Sequence, residues 1–282
     1  MELITTVSAM QSISRKSGAA GKSIGFVPTM GFLHEGHLSL IKLARRRADV
    51  VVVSIFVNPR QFGPNEDLDR YPRDFERDKA LCEVCGADFL FFPPVEEMYV
   101  SDASVFVDES ELSAGLCGSS RDGHFRGVLT VVAKLFNMVD PQVAVFGQKD
   151  AQQAAVIKRM VRDLNFPIEI IVAPIVREAD GLAMSSRNTF LKPEERQQAL
   201  WLNKSLLLAE SMVKNGENGG GAVESAMRKL LAENAPGVDL EYIAVVDSTS
   251  LKPQDTIVAG TLIALAARVG NTRLIDNIVV EM

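Results

Sequence analysis

The sequence predicts an α/β protein: a parallel β-sheet flanked by helices over residues 1–177, then a smaller α+β C-terminal domain over residues 178–282. Two features carry that reading. Through the first two-thirds, apolar runs of strand character alternate with segments of helical spacing, the signature of βαβ units with right-handed crossovers. After about Arg177 the order changes, to two helical stretches followed by three strand-like runs.

The elements follow in order. Residues 23–28 form a short apolar run that ends at a turn. Residues 36–48 carry Leu38, Ile41, Leu43 and Ala44 among the apolar positions of a helix. Residues 49–57 (DVVVVSIFV) are β-branched and almost continuously apolar, as expected of a strand buried on both faces. A helix over 74–85 and a strand over 87–92 come next, then a helix over 127–139, a strand over 142–146, a helix over 151–164 and a strand over 168–173. In the second part, Pro193–Lys214 is a long helix, residues 215–221 a glycine-rich loop and residues 222–233 a second helix. Strands over 241–247, 261–269 and 273–280 complete a small sheet, expected to be mixed. Ligands of such folds bind outside the carboxyl ends of the parallel strands, here between the two domains.

Composition narrows the function. The chain has 282 residues, 47% hydrophobic and 23% charged, within the globular range. Thirty basic against thirty-six acidic residues give a formal charge of −6, a poor match to a nucleic-acid partner, which needs basic surface. The N-terminal MELITTVSAMQSI has no signal-peptide pattern, and no apolar run approaches the roughly 20 residues of a membrane helix. A cytoplasmic protein without a membrane partner is expected. Cys82, Cys85 and Cys117 are too few for a disulfide framework. Cys82 and Cys85 have no second Cys or His pair nearby to complete a zinc site, so both are expected to pack beside a helix.

The strongest local signal is PTMGFLHEGH, residues 28–37. It joins the end of a strand to the start of a helix. His34 and His37 are three residues apart and project to one side of a first helical turn. Gly31 and Gly36 let a nucleotide approach the backbone, and the free N–H groups of the helix start suit phosphate. FGQKD (146–150) also follows a strand. Lys149 suits phosphate and Asp150 a ribose hydroxyl; equally, the pair suits a solvated turn in which Asp150 caps the next helix. Gln153 faces the same side as Asp150. MSSRN (184–188) offers two hydroxyls and a guanidinium to a polyphosphate, but alone it reads as a polar loop ahead of Pro193. FVNPRQF (56–62) ends the long buried strand: Gln61 can donate to and accept from a small hydroxylated acid, while Asn58 and Arg60 shape the turn. RDGHFRG (121–127) holds the third histidine, His124, with no role that its neighbours define. Neither G-x-G-x-x-G after the first strand nor G-x-x-x-x-G-K-[ST] is present, which disfavours NAD and P-loop enzymes.

With PTMGFLHEGH, FVNPRQF, FGQKD and MSSRN in that order, the chain resembles the pantothenate synthetase (pantoate–β-alanine ligase) family along nearly its whole length. The first segment is that family's version of the HIGH signature of nucleotidyltransferases. GLCGSSRDGHFRGV (115–128) also looks like the family, with Asp122 where its pattern has proline. The resemblance implies a Rossmann-like first domain and a C-terminal domain that covers the ATP site. It implies ATP-dependent condensation of pantoate with β-alanine through a pantoyl adenylate, with Mg²⁺, in a homodimer. ATP would meet Met30, Gly31, Phe32, Leu33, His34, Glu35, Gly36 and His37, then Gly147, Gln148, Lys149 and Asp150, then Val176, Met184, Ser185, Ser186 and Arg187. Pantoate would meet Gln61 and Gln153, with Val131 and Val132 as apolar wall, and Gln61 would also face β-alanine. His37 is the family's proposed proton donor, with His34, Lys149 and Arg187 beside it in the catalytic set; no residue is assigned to the metal. Rival readings are a transferase that leaves the nucleotide on a phosphorylated substrate, a fragment of a tRNA-binding synthetase, and a nucleotide-binding module without catalysis.

Overall fold

Every residue of the valine-rich stretch at 50–55 is buried, and the sheet around it explains why. The computed structural model describes residues 1–64 and 66–281. Six strands, β1 (Glu2–Ile4), β2 (Ile24–Thr29), β3 (Val50–Ile55), β4 (Phe89–Phe91), β5 (Val143–Gly147) and β6 (Glu169–Ala173), pair in parallel in the order β1-β4-β3-β2-β5-β6. Helices α1 (Val7–Ala19), α2 (Glu35–Arg47), α3 (Phe75–Val84), α4 (Val95–Met98), α5 (Cys117–Ser120), α6 (His124–Val139) and α7 (Ala151–Asp163) connect them. Val50 and Val52 face a layer that contains Met10 of α1, Leu129 and Phe136 of α6 and Ile157 of α7. Val51 and Val53 face the opposite layer, with Leu38, Ile41 and Ala44 of α2 and Cys82 of α3. A strand covered on both faces has no polar side to alternate with. Each fully buried valine there contributes roughly 1.5–3 kcal/mol.

The second unit starts with α8 (Pro193–Lys214) and α9 (Gly220–Asn234), which pack on one face of β7 (Val238–Asp247), β8 (Thr261–Val269) and β9 (Thr272–Val279). Both pairings are antiparallel, which corrects the expected mixed sheet. The reason is the β8–β9 connection: Gly270 (φ +56) and Asn271 form a two-residue turn, which only an antiparallel pair can use. Leu202, Leu206, Met227 and Leu231 cover Ile243, Ile263 and Leu265 on this face. On the other face Val246, Leu262 and Ala264 meet Ala151 at the start of α7, so the small sheet leans on the large unit close to the end of β5.

Four elements lie outside the sequence expectation: β1, the one-turn helices α4 and α5, and α1, which buries only Met10 and Ser14. α6 begins at His124, not 127, and α9 takes in Gly220 and Gly221 from the expected loop. Among the described residues no helix is long and apolar enough to cross a membrane. The strand order sets the location of the site. β2 has β3 on one side and β5 on the other, so the connections leave in opposite directions and a crevice opens at the carboxyl ends.

Candidate active site

A cleft of about 210 Å³ occupies that crevice. Met30, His34, Gly36 and His37 reach it from the turn after β2, and Gln61 from the turn after β3. Gly147, Lys149, Asp150 and Gln153 reach it from the end of β5 and the start of α7. Val176, Met184, Ser185, Ser186 and Arg187 come from the chain beyond β6, while Val131 and Val132 of α6 form part of the apolar wall. Five sequence candidates lie outside the lining. Leu33 is in the core, and Gly31 packs beneath Ile55 and Asp78. Phe32 lies under the Arg77 guanidinium, Glu35 is exposed near Lys42, and Gln148 bonds to Asn277.

The histidine turn is held from below. Gly31 and Phe32 both have positive φ, +84° and +50°, and Phe32 is the strained one because it carries a Cβ. Asp78 of α3, 1% exposed, holds this conformation by accepting from Phe32 N at 2.6 Å and Leu33 N at 2.7 Å. Burial lifts its carboxyl above the usual range against the pull of those two donors. His34 is the N-cap of α2 in extended conformation, and its N–H donates to His37 Nδ1 at 3.3 Å. That bond leaves the proton of a neutral His37 on Nε2. The two rings lie with centroids 4.0 Å apart, tilted by 36°. A Cβ at Gly36 would stand 2.9 Å from the His34 ring, so glycine there is what lets the ring fold over the helix start. Burial, then the charge of Lys149, lowers the His34 pKa to about 4. Burial, the neighbouring His34 and Lys149 push His37 well down too. Both are therefore neutral N–H donors at neutral pH. His34 Nδ1 is buried with no partner among the described residues.

Gln61 sits beneath the apolar side of the cleft. Its Oε1 accepts from Asn58 Nδ2 at 3.1 Å, and its Nε2 approaches Met30 Sδ at 3.1 Å. Asn58, 1% exposed, also donates to Gly127 O and accepts from Tyr99 Oη at 2.8 Å. The turn fits against α6 because residue 127 is glycine: a Cβ there would lie 2.2 Å from Arg60 O.

The opposite end of the cleft is charged. Lys149 lines it, with Nζ 3.9 Å from Asp150 Oδ2. The Lys149 and Gln148 carbonyls accept from Asn277 Nδ2 of β9 at 3.1 and 3.0 Å, so the small sheet clasps the turn that presents the lysine. Next to Asn277, Asp276 pairs with Arg177 at 2.6 and 3.0 Å. Ser186 Oγ donates to Phe32 O at 3.1 Å, which joins the MSSRN loop to the histidine turn. Arg187 is already engaged: its guanidinium donates to both oxygens of Asp67, at 2.7 and 2.9 Å. Burial raises the Asp67 carboxyl, but the hydrogen bonds and charge of Arg187 outweigh it and hold the group below its usual range. Beyond this pair the cleft opens into a second compartment, lined by Arg70, Lys192 and Arg268 among others.

The cysteines are placed for packing. Cys82 and Cys85 lie in the layer under α2, and burial, with the Asp78 charge behind it, pushes the Cys82 thiol up to about 12. Cys117 packs in the other layer, its Sγ 3.2 Å from Tyr242 Oη. Among the described residues no three His, Cys, Asp or Glu side chains cluster as a metal cage.

A family model for pantoate–β-alanine ligase matches residues 2–279. The chain belongs to the pantoate–β-alanine ligase family. Pantothenate synthetases of Thermotoga petrophila and Moorella thermoacetica are 57% and 56% identical to it, covering 98% and 100% of this chain and 99% of their own. A crystal structure of the Thermus thermophilus pantothenate synthetase superposes with a TM-score of 0.93 at 46% identity, over 99% of both chains. The Francisella tularensis pantoate–β-alanine ligase, solved in complex with β,γ-ATP and β-alanine, superposes with a TM-score of 0.80 at 34% identity, over 99% of this chain and 97% of that one.

Several residues of this ligase-family cleft give no sequence signal. Asp78 lies 45 residues from the backbone it holds, on a helix whose buried residues are Asp78 and Cys82. Asn277 acts across 128 residues, and Asp67 sits in an irregular acidic loop. Asn58 was legible only as a turn residue, although its amide fixes that of Gln61. Asp122 is exposed just ahead of Gly123, whose left-handed backbone (φ +72) starts α6 without a side-chain cap.

Proposed function

We propose that the protein condenses pantoate with β-alanine in an ATP-dependent reaction, through a pantoyl adenylate, to give pantothenate, AMP and pyrophosphate. One observation carries the reading: neutral imidazole donors, a lysine and the MSSRN loop meet an apolar compartment floored by Gln61 in a single crevice. The Francisella relative, whose complex contains an ATP analogue and β-alanine, adds support.

The chemistry follows from the groups in place. Pantoate enters ionised, so the first step needs no base. Gln61 and Gln153 hold pantoate against Val131 and Val132, with its carboxylate oxygen in line with the α-phosphorus. That oxygen bonds to phosphorus as the bond to the bridging oxygen breaks and pyrophosphate leaves. His37 Nε2–H and the His34 ring donate to the phosphate as charge builds, and Lys149 and Arg187 neutralise the leaving group. Neutral donors suit this role, since they stabilise developing charge without binding the ground state as strongly as a fixed cation would. In the second step the uncharged amine of β-alanine, held near Gln61, bonds to the acyl carbon, the carbon–oxygen bond to AMP breaks, and the amine gives up a proton. The anhydride is already activated, so no covalent enzyme intermediate is required.

The residues fit a Mg²⁺ ion that arrives on the nucleotide. Asp150 offers a carboxylate beside Lys149, while Asp67 and Glu66 are occupied by arginines, and such ions commonly keep phosphate and water ligands. The ion would neutralise phosphate charge. The same reading takes residues 1–177 as the nucleotide and pantoate domain and 178–282 as the domain that covers ATP, in a cytoplasmic homodimer without nucleic-acid or membrane partners.

The test is pantoate-dependent exchange of labelled pyrophosphate into ATP with Mg²⁺ and without β-alanine. Exchange that requires pantoate, followed by AMP and pantothenate on addition of β-alanine, is expected. A folded, ATP-binding protein that gives no exchange overturns the adenylate step.

A further inference from the structure

His124 is the histidine that the reaction above leaves unused, and it is 8% exposed at the first turn of α6. Its surroundings are fully specified. Arg121 Nη1 lies 2.9 Å from His124 Nε2, and Gln61 O lies 2.9 Å from His124 Nδ1. Arginine can only donate, so Nε2 accepts and the ring proton sits on Nδ1, from which it donates to the Gln61 carbonyl. Arg121 is in turn fixed by Glu66, which accepts from its Nε and Nη2 at 2.7 Å each. The ring packs edge-on against Phe125, 4.9 Å between centroids. The chain Glu66–Arg121–His124 thus ends on the main chain of the residue whose side chain floors the acyl compartment. Asn58 fixes the other end of Gln61, its amide oxygen.

We propose that His124 is a positioning residue for the carboxylic-acid and amine substrates: its Nδ1–H anchors the Gln61 peptide, so that the Gln61 amide stays aimed into the compartment beside Val131 and Val132. This rests on the assignment of Gln61 to pantoate and β-alanine in the proposed function. The role is confined to one end of the cleft. The histidine turn and the Lys149 turn are hydrogen-bonded to Asp78 and Asn277, whereas the His124 ring bonds to Arg121 and Gln61; it shares a small cavity, but no hydrogen bond, with Lys149, Asp150 and Asn277. Loss of the anchor therefore acts on the acyl and amine substrates and spares ATP.

The experiment compares the wild-type enzyme with His124→Phe and His124→Asn in steady-state kinetics for all three substrates. Phenylalanine fills the space without a donor. Asparagine places an amide N–H near the position of Nδ1. His124→Phe is expected to raise KM for pantoate and β-alanine about tenfold, the loss expected when a buried carbonyl loses its donor, with KM for ATP within about twofold. His124→Asn is expected to recover most of that loss. Equal loss on ATP, equal loss in both variants, or no change in any KM overturns the proposal. Nitrogen NMR of the His124 ring in the wild-type enzyme gives a reading that does not depend on either variant folding: a proton on Nδ1 supports the anchor, and a proton on Nε2 overturns it. The wild-type ligation assay keeps the two readings apart. Its failure overturns the proposed function, whereas normal ligation with unchanged KM values in the variants overturns only the role of His124.

Discussion

Two imidazole rings with centroids 4.0 Å apart cannot both carry charge cheaply, which adds to the burial that keeps His37 neutral, while burial and the Lys149 charge keep His34 neutral. Replacing His37 by alanine removes a neutral donor and an acceptor for the His34 N–H, but little apolar packing. The expected outcome is a fall in pyrophosphate exchange on the order of 10²-fold, with a thermal midpoint close to that of the wild type. The pH dependence of stability has a definite sign. Unfolded histidines take up protons near 6.5, while folded His34 and His124 resist until about 4. Between those values the unfolded chain binds more protons, so this contribution is complete above pH 6.5 and is lost as pH falls toward 4. Urea unfolding at pH 7.5 and pH 5 measures it, and His34→Gln should flatten the difference. Arg187 carries a different lesson. Asp67 holds the guanidinium that the proposed mechanism sets against the phosphates, so Asp67→Asn is expected to lower KM for ATP by about threefold, and Arg187→Ala to raise it; steady-state ATP titrations distinguish the two. The histidines, Lys149 and Arg187 were legible in the sequence because short motifs carry them. Asp67 and Asp78 were not, because each acts on backbone or side chains that the sequence places far away.

At the scale of elements, the cleft depends on close approaches that small or buried groups permit. Gly127 lets α6 touch the turn at 58–61, and a methyl group there would meet Arg60 O at 2.2 Å. Gly127→Ala is expected to cost about 1–3 kcal/mol in denaturant unfolding and to raise KM for pantoate more than for ATP, because the displaced turn carries Gln61. Asp78 does the same work for the turn after β2. Asp78→Ala would leave two N–H groups without their charged acceptor, and a loss of about 3 kcal/mol in urea unfolding is expected. The parallel strands were legible because two-sided burial leaves an unbroken apolar run, as in β3. Three-residue β1 and sparsely buried α1 leave no such trace, and the orientation of the small sheet rests on the two-residue Gly270-Asn271 turn, which apolar patterning does not register.

Over the whole molecule, a polar clasp ties the small sheet to the turn after β5. Asn277 donates to the carbonyls of Gln148 and Lys149, and beside it Asp276 pairs with Arg177. Asn277→Leu leaves those two carbonyls bare. The expected result is a severalfold rise in KM for ATP with little change for β-alanine, and a stability loss of about 2 kcal/mol in denaturant. The clasp also sets an order of events during synthesis. A growing chain makes Lys149 128 residues before Asn277. The large unit therefore leaves the ribosome with its lysine turn unanchored, and a half-made enzyme can fold around its sheet without yet holding the lysine ready for ATP. On the proposed assignment of Lys149 to ATP, that site is complete only once β9 has been made.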